Sequence, residues 1–271
     1  YIGALGKDKI SPLFSEFAEQ TQAISLTEPG VTHAVEFQDG KIMLGNTASM
    51  DDITYESILA KMEEGAFLDL LSRCDLIAMT NWTMIPNMTS IFNQMIDRAL
   101  VNMGPKDNRI FFFDLADPEK RSDSDVQGVL QTIKRFQNYG KVILGLNLKE
   151  AQHVYRLLGF EAVSDESENL KEMALSICQT LSLGTVVIHP TNGAACADKN
   201  DASYVQGPYC TEPKITTGAG DHFNAGFTTA QLLGLSQVSC LILAVCYSGY
   251  YVRTGNSPSL PDVENFIKNW N

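Results

Sequence analysis

The run Thr216-Thr217-Gly218-Ala219-Gly220-Asp221 carries the residues best suited to chemistry. Two glycines in three residues let successive backbone N–H groups turn toward one point. A helix starting there adds the positive end of its dipole, so the turn is a ready anion site. The helix is supported by Phe223, Phe227, Ala230 and Leu233, which fall on one face. A carboxylate beside a bound phosphate would repel it. Asp221 is useful there if it faces an incoming hydroxyl, orienting and deprotonating it while the N–H groups absorb charge on a transferring phosphoryl group. Asp at a helix start is also among the commonest N-caps, and spacing alone does not choose between the two roles. The chain has no G-x-x-x-x-G-K-[ST] loop. It has no G-x-G-x-x-G either, which argues against a Rossmann-type oxidoreductase.

The elements that must hold this turn alternate along the chain. Strands are expected at 75–79, 109–114, 141–146 and 185–189, with helices at 88–101, 125–139, 149–158 and 170–181 between and after them. That alternation implies a mostly parallel sheet covered by helices, with ligands beyond the C-terminal ends of the strands. The residues just after those strands are therefore candidates: Asn81 and Trp82, Asp114 and Asp117, Asn147 and Glu150, and the stretch 189–193. A short helix is expected at 14–22, strands at 31–37 and 41–44 around a turn at Gln38-Asp39-Gly40, and one helix over 55–71. Two more helices are expected at 214–233 and 236–252.

Composition narrows the class. Of the 271 residues 44% are apolar and 19% charged, enough apolar matter for a sizeable core. No apolar run reaches the ~18 residues of a membrane span, so no membrane association is expected. A net charge of −12 argues against a sequence-independent nucleic-acid binder, though not against nucleotide binding. The six cysteines show no C-x-x-C or zinc spacing and read as buried thiols of a reducing compartment, the cytoplasm. The chain opens on Tyr1, and residues 1–6 read as the end of a strand and its turn, so natural sequence is expected to precede it.

The run 216–226, TTGAGDHFNAG, resembles the C-terminal signature of the ribokinase-like (PfkB) family of sugar and nucleoside kinases. Weaker matches follow in the family's order: residues 5–14, the N-x-x-E pattern at Asn147 and Glu150, the strand and turn at 186–194, and the loop 253–259 before a last helix. The resemblance implies a three-layer α/β/α sandwich, one kinase domain over 1–271 lacking its N-terminal segment, with a small β-sheet lid to which residues about 31–50 contribute. It implies an ATP-dependent carbohydrate kinase, with a nucleoside kinase or a catalytically silent sugar- or nucleotide-binding relative as alternatives. Asp221 would be the base, and the N–H groups of Gly218, Ala219 and Gly220 the anion hole. Asn147 and Glu150 would stand near Mg²⁺ and the phosphates, acting through water. Asn147, Thr191, Asn192, Gly193 and Gly255 would line the nucleotide, and Asn81, Trp82 and Asp221 would meet a sugar-like substrate. A homodimer through the lid is the assembly it implies.

Plain structural roles compete at several of these positions: a first-turn glutamate at Glu150, a simple turn at Asn192-Gly193, core packing for Trp82, turn capping for Asp114 and Asp117, and a structural or exposed His222. Three departures from the family pattern also matter. Ile215 stands where the family places an Asp before Thr-Thr, which implies weak or absent K⁺ activation. Pro190 interrupts the nucleotide turn at 188–193 and removes an N–H. The family's first strand, its substrate-binding Asp and its Gly-Gly motif have no counterpart, so part of the sugar pocket is expected upstream of Tyr1.

Overall fold

The computed structural model describes residues 1–37, 40–161 and 164–270. The chain divides into two compact units, residues 1–74 with 81–104, and residues 75–80 with 105–271.

The first unit opens with β1 (Ile2–Gly3), which pairs in parallel with β2 (Ile24–Ser25) across α1 (Ser15–Gln20). β3 (Val31–Phe37) and β4 (Gly40–Asn46) form an antiparallel pair in which Val35 faces Ile42 and His33 faces Leu44. Gln38 and Asp39, where the hairpin turn was expected, lie outside the described residues. The helix expected over 55–71 is two, α2 (Tyr55–Lys61) and α3 (Glu64–Arg73). Met62 is extended between them, and the break turns Phe67 inward, where its ring meets Tyr55 edge-on at 5.8 Å. Thr54 and Ser57 cap α2 reciprocally. α4 (Met88–Gln94) continues through a π-helical stretch, Met95–Leu100, into α5 (Val101–Met103).

The second unit is built on a six-stranded sheet. β5 (Leu76–Met79), β6 (Ile110–Asp114), β7 (Lys141–Asn147) and β8 (Thr185–His189) run parallel, as the alternation implied. β9 (Gly193–Ala197) and β10 (Ala202–Gln206) extend it antiparallel, giving the order β10-β9-β8-β7-β6-β5. These last two were not expected. β9 reads Gly-Ala-Ala-Cys-Ala, all buried, with neither the β-branched residues nor the alternation that mark a strand. The helices are α6 (Asp123–Phe136), α7 (Leu148–Leu157), α8 (Ser167–Leu181), α9 (Ala219–Leu232), α10 (Gln237–Thr254) and α11 (Leu260–Lys268).

Alternate side chains of β6 show why helices cover both sheet faces. Phe111 and Phe113 point to one side, each about edge-on to Phe136 of α6 at 5.0 and 5.1 Å. Phe112 points to the other, into a core with Phe223, Phe227, Ala230 and Ala244 from α9 and α10. All three strand phenylalanines are buried, each contributing roughly 1.5–3 kcal/mol. Among the described residues no helix is long and apolar enough to cross a membrane.

The helix expected from residue 214 begins at Ala219. Residues 214 and 215 instead run along the end of α10, their N–H groups both directed at Val252 O (2.8 and 3.4 Å). Gly218, the N-cap, sits at φ +91°, where helix cannot extend backward.

Candidate active site

The C-terminal ends of β6, β7 and β8 stand side by side, with Asp114 opposite Gly145 and Asn147 opposite His189. α9 is tied to this edge. Asn224 Nδ2 donates to Asp114 Oδ2 at 2.7 Å, and the His189 ring stacks on Phe223 with centroids 4.6 Å apart. A Cβ built on Gly220 would stand 3.5 Å from His189 Cε1. The first turn of α9 therefore lies over the edge where ligands of such sheets bind.

Asp221 falls at the third position of α9, and the N-cap is Gly218, which has no side chain to cap with. Its carboxylate is exposed, and among the described residues no hydrogen bond or ion pair engages it. The capping role that the sequence left open is thus unfilled. The anion turn differs from the expected trio. Ala219 N–H closes back on Thr216 O at 3.1 Å, because the turn into the helix needs that bond. The N–H groups of Gly218, Gly220 and Asp221 meet no acceptor among the described residues.

Below the turn lie three buried or half-buried acids. Glu150 is 4% exposed. Its Oε1 accepts from Asp117 N–H at 2.8 Å and its Oε2 from Asn147 N–H at 2.9 Å, while Asn147 Oδ1 accepts from Glu150 N–H at 3.0 Å. Asn147 and Glu150 are thus a reciprocal cap of α7. Burial pushes Glu150 up to about 7; the two N–H donors oppose this and the charges of Asp114 and Asp117 add to it. Burial also raises Asp114, with Asp221 and Asp117 adding repulsion. The same two carboxylates hold a strained loop, for Ala116 and Asp117 both have positive φ (59° and 60°), and their N–H groups go to Asp114 Oδ1 and Glu150 Oε1. No group of three or more His, Cys, Asp or Glu among the described residues could hold a metal. Each Glu150 oxygen accepts one backbone N–H and the carboxyl is buried, a setting that suits contact with Mg²⁺ through water, as the resemblance implies for Asn147 and Glu150.

The remaining candidates fall into structural settings. Thr191 and Asn192 are the exposed turn between β8 and β9, and Asn192 O accepts from Gly207 N–H at 2.9 Å. Gly193 is required by packing, since a Cβ there would lie 2.4 Å from Tyr204 Oη. Gly255, at φ +74°, ends α10 by donating to Tyr251 O at 2.8 Å. Asn81 and Trp82 belong to the first unit. Trp82 is fully buried and donates its indole N–H to Thr89 Oγ1 at 2.8 Å, the packing role that competed with substrate contact. Asn81 is left-handed at φ 66° and starts a short 3₁₀ turn.

A family model described as prokaryotic ketohexokinase matches residues 1–270. The chain belongs to that family. A ketohexokinase of Haloferax volcanii is 24% identical over 269 residues, spanning 99% of this chain and 70% of the relative. Among solved structures, a ribokinase of Thermotoga maritima superposes with a TM-score of 0.71 at 19% identity, covering 98% of this chain and 80% of its own. An adenosine kinase of Schistosoma mansoni, solved with 2-fluoroadenosine, gives 0.69 at 17% identity over 98% and 76%. This member of the prokaryotic ketohexokinase family is a carbohydrate kinase on a ribokinase-like α/β fold.

Sequence reasoning passed over Asn224 and Tyr251, while His189 entered it only as the first residue of the stretch 189–193. Asn224 stands one helical turn after Asp221, the spacing that places two side chains on one face, and that signal was available. Tyr251 is 34 residues from the turn it touches, and nothing local announces it.

Proposed function

We propose that this carbohydrate kinase moves the γ-phosphoryl group of ATP to a hydroxyl of a ketohexose. The observation that carries this reading is the free carboxylate of Asp221 in the first turn of α9, behind a glycine turn with unspent N–H groups. The sugar hydroxyl would donate to Asp221, which takes its proton as the new O–P bond forms and the bond to the ADP oxygen breaks. The N–H groups of Gly218, Gly220 and Asp221 would hold charge on the transferring oxygens. Magnesium travelling with the nucleotide would neutralise phosphate charge. The family and its Haloferax relative support a ketohexose as acceptor. Six free thiols are consistent with the cytoplasm.

K⁺ is not needed in this reading. Ile215 brings no carboxylate, and the Lys214 ammonium already donates to Thr254 O at the end of α10, at 2.9 Å. Exchange of K⁺ for Na⁺ should change kcat by no more than about twofold.

The test follows ATP consumption by the full-length protein with ketohexoses, aldoses and nucleosides. Asp221→Asn should lower kcat by about 10²–10⁴-fold while ATP still binds. Unchanged turnover in that variant removes Asp221 as base. A nucleoside preferred over every sugar replaces the acceptor, and ATP binding with no turnover on any acceptor points to a silent relative.

A further inference from the structure

His222 and Tyr251 were not needed to describe the reaction, yet both reach the glycine turn. Tyr251 O–H donates to Thr217 O at 2.9 Å. His222 Nδ1 lies 2.8 Å from Gly218 O, and its Nε2 lies 2.9 Å from Ser257 Oγ in the loop between α10 and α11. A carbonyl oxygen only accepts, so Nδ1 carries the proton, and in the neutral tautomer Nε2 accepts from the Ser257 hydroxyl. The two rings stack with centroids 3.7 Å apart and planes at 13°.

The geometry of the peptide bond gives these contacts a consequence. In a planar trans peptide the C=O and N–H point in opposite directions. Holding Thr217 C=O therefore aims Gly218 N–H, one of the three free donors, the other way. Gly218 C=O is held both by the backbone N–H of His222 at 3.1 Å, the first bond of α9, and by the His222 ring, which keeps Ala219 N–H turned back to Thr216 O and out of the anion site. The Thr217–Gly218 peptide could otherwise rotate at little cost, because glycine is at ease on both sides of φ zero. A Cβ on Gly218 would come to 3.0 Å from Tyr251 Oη, so the tyrosine is packed directly against the glycine it steers.

We propose that Tyr251 and His222 form a stacked pair of positioning residues that presets the peptide orientations of the glycine turn for phosphoryl transfer. The proposal rests on the reading that this turn receives the phosphoryl group. Its effect belongs in the transition state, where charge on the transferring group is met by preorganised donors, more than in binding of the sugar.

The experiment measures steady-state kinetics of the full-length protein with ATP and fructose as probe. Variants are Tyr251→Phe, His222→Ala, His222→Asn and, as reference, Asp221→Asn. Tyr251→Phe keeps the ring stack and loses one hydroxyl; kcat should fall roughly tenfold or more with KM for fructose within about threefold. His222→Ala should lose a similar factor, and His222→Asn, whose amide N–H can reach Gly218 O, should recover most of it. Tyr251→Phe and His222→Ala turning over as wild type, while Asp221→Asn is dead, overturns the pair and leaves the site reading standing. Losses that appear only as lowered melting temperature, or that His222→Asn does not recover, overturn it as well. Wild-type turnover by Asp221→Asn removes the site reading, and the proposal with it.

Discussion

Glu150, in the first turn of α7 after β7, and His189, at the end of the adjacent β8, have titrations that oppose each other. Burial holds Glu150 at about 7 against its ordinary 4.5, so the folded state keeps a proton that the unfolded chain releases. Its share of stability is full below about pH 4.5 and is lost as pH rises through 7. Burial holds His189 near 4 against its ordinary 6.5, so its share is full above about 6.5 and is lost as pH falls through 4. At about 1.4 kcal/mol per pKa unit, each share is on the order of 3 kcal/mol, with opposite slopes. Between about pH 4.5 and 6.5 the two cancel. Removing one should expose the other. Urea unfolding of Glu150→Gln should show stability climbing with pH more steeply than wild type. His189→Phe, which keeps a ring against Phe223, should show it falling instead. Parallel slopes in wild type and both variants would refute the opposed titration.

At the scale of elements, the first turn of α9 separates two glycines that look alike in sequence. Gly218 has φ +91° and stands against Tyr251 Oη, whereas Gly220 lies inside the helix with its nearest neighbour at an ordinary 3.5 Å. Gly218→Ala should therefore cost at least about 1–2 kcal/mol from backbone strain alone. Gly220→Ala should fold as stably as wild type or better, since alanine favours a helix by up to about 1 kcal/mol over glycine. Denaturation midpoints of the two variants check this, and equal losses would mean that the turn's backbone conformation is not what distinguishes them. The sequence made this turn legible because Gly-Ala-Gly-Asp ahead of an apolar helical face has a local meaning. It did not show which residue was the N-cap, and so could not choose between cap and base at Asp221; that depends on one backbone angle. The parallel strands were legible for a similar local reason, as runs such as Ile110-Phe111-Phe112-Phe113. β9 was not, because its burial comes from α8, α10 and two neighbouring strands rather than from its own small residues. The pairing of Glu150 with the N–H of Asp117, 33 residues away, was out of reach for the same reason.

At the scale of the molecule, the β3–β4 ribbon leaves an apolar face exposed among the described residues. Register puts Val31, His33, Val35 and Phe37 on the same face as Ile42 and Leu44. Val31, Val35, Phe37, Ile42 and Leu44 are all exposed, between 43% and 57%. A contiguous apolar face of this kind on a two-stranded ribbon is unusual for a surface bathed in water, and a ribbon of two strands is marginal alone. A second copy of the same ribbon would bury it, the lid-to-lid homodimer that the ribokinase-like resemblance implies. If the face is an interface between copies, a charge at its centre should split the dimer. Val35→Lys and Ile42→Glu should each shift the mass measured by light scattering from two chains toward one at micromolar concentration. The double variant, whose new charges lie opposite each other in the ribbon, should remain monomeric, because an ion pair facing its own copy still has to be desolvated. Wild-type protein that is monomeric throughout the same range would leave the apolar face without a second copy and refute the dimer.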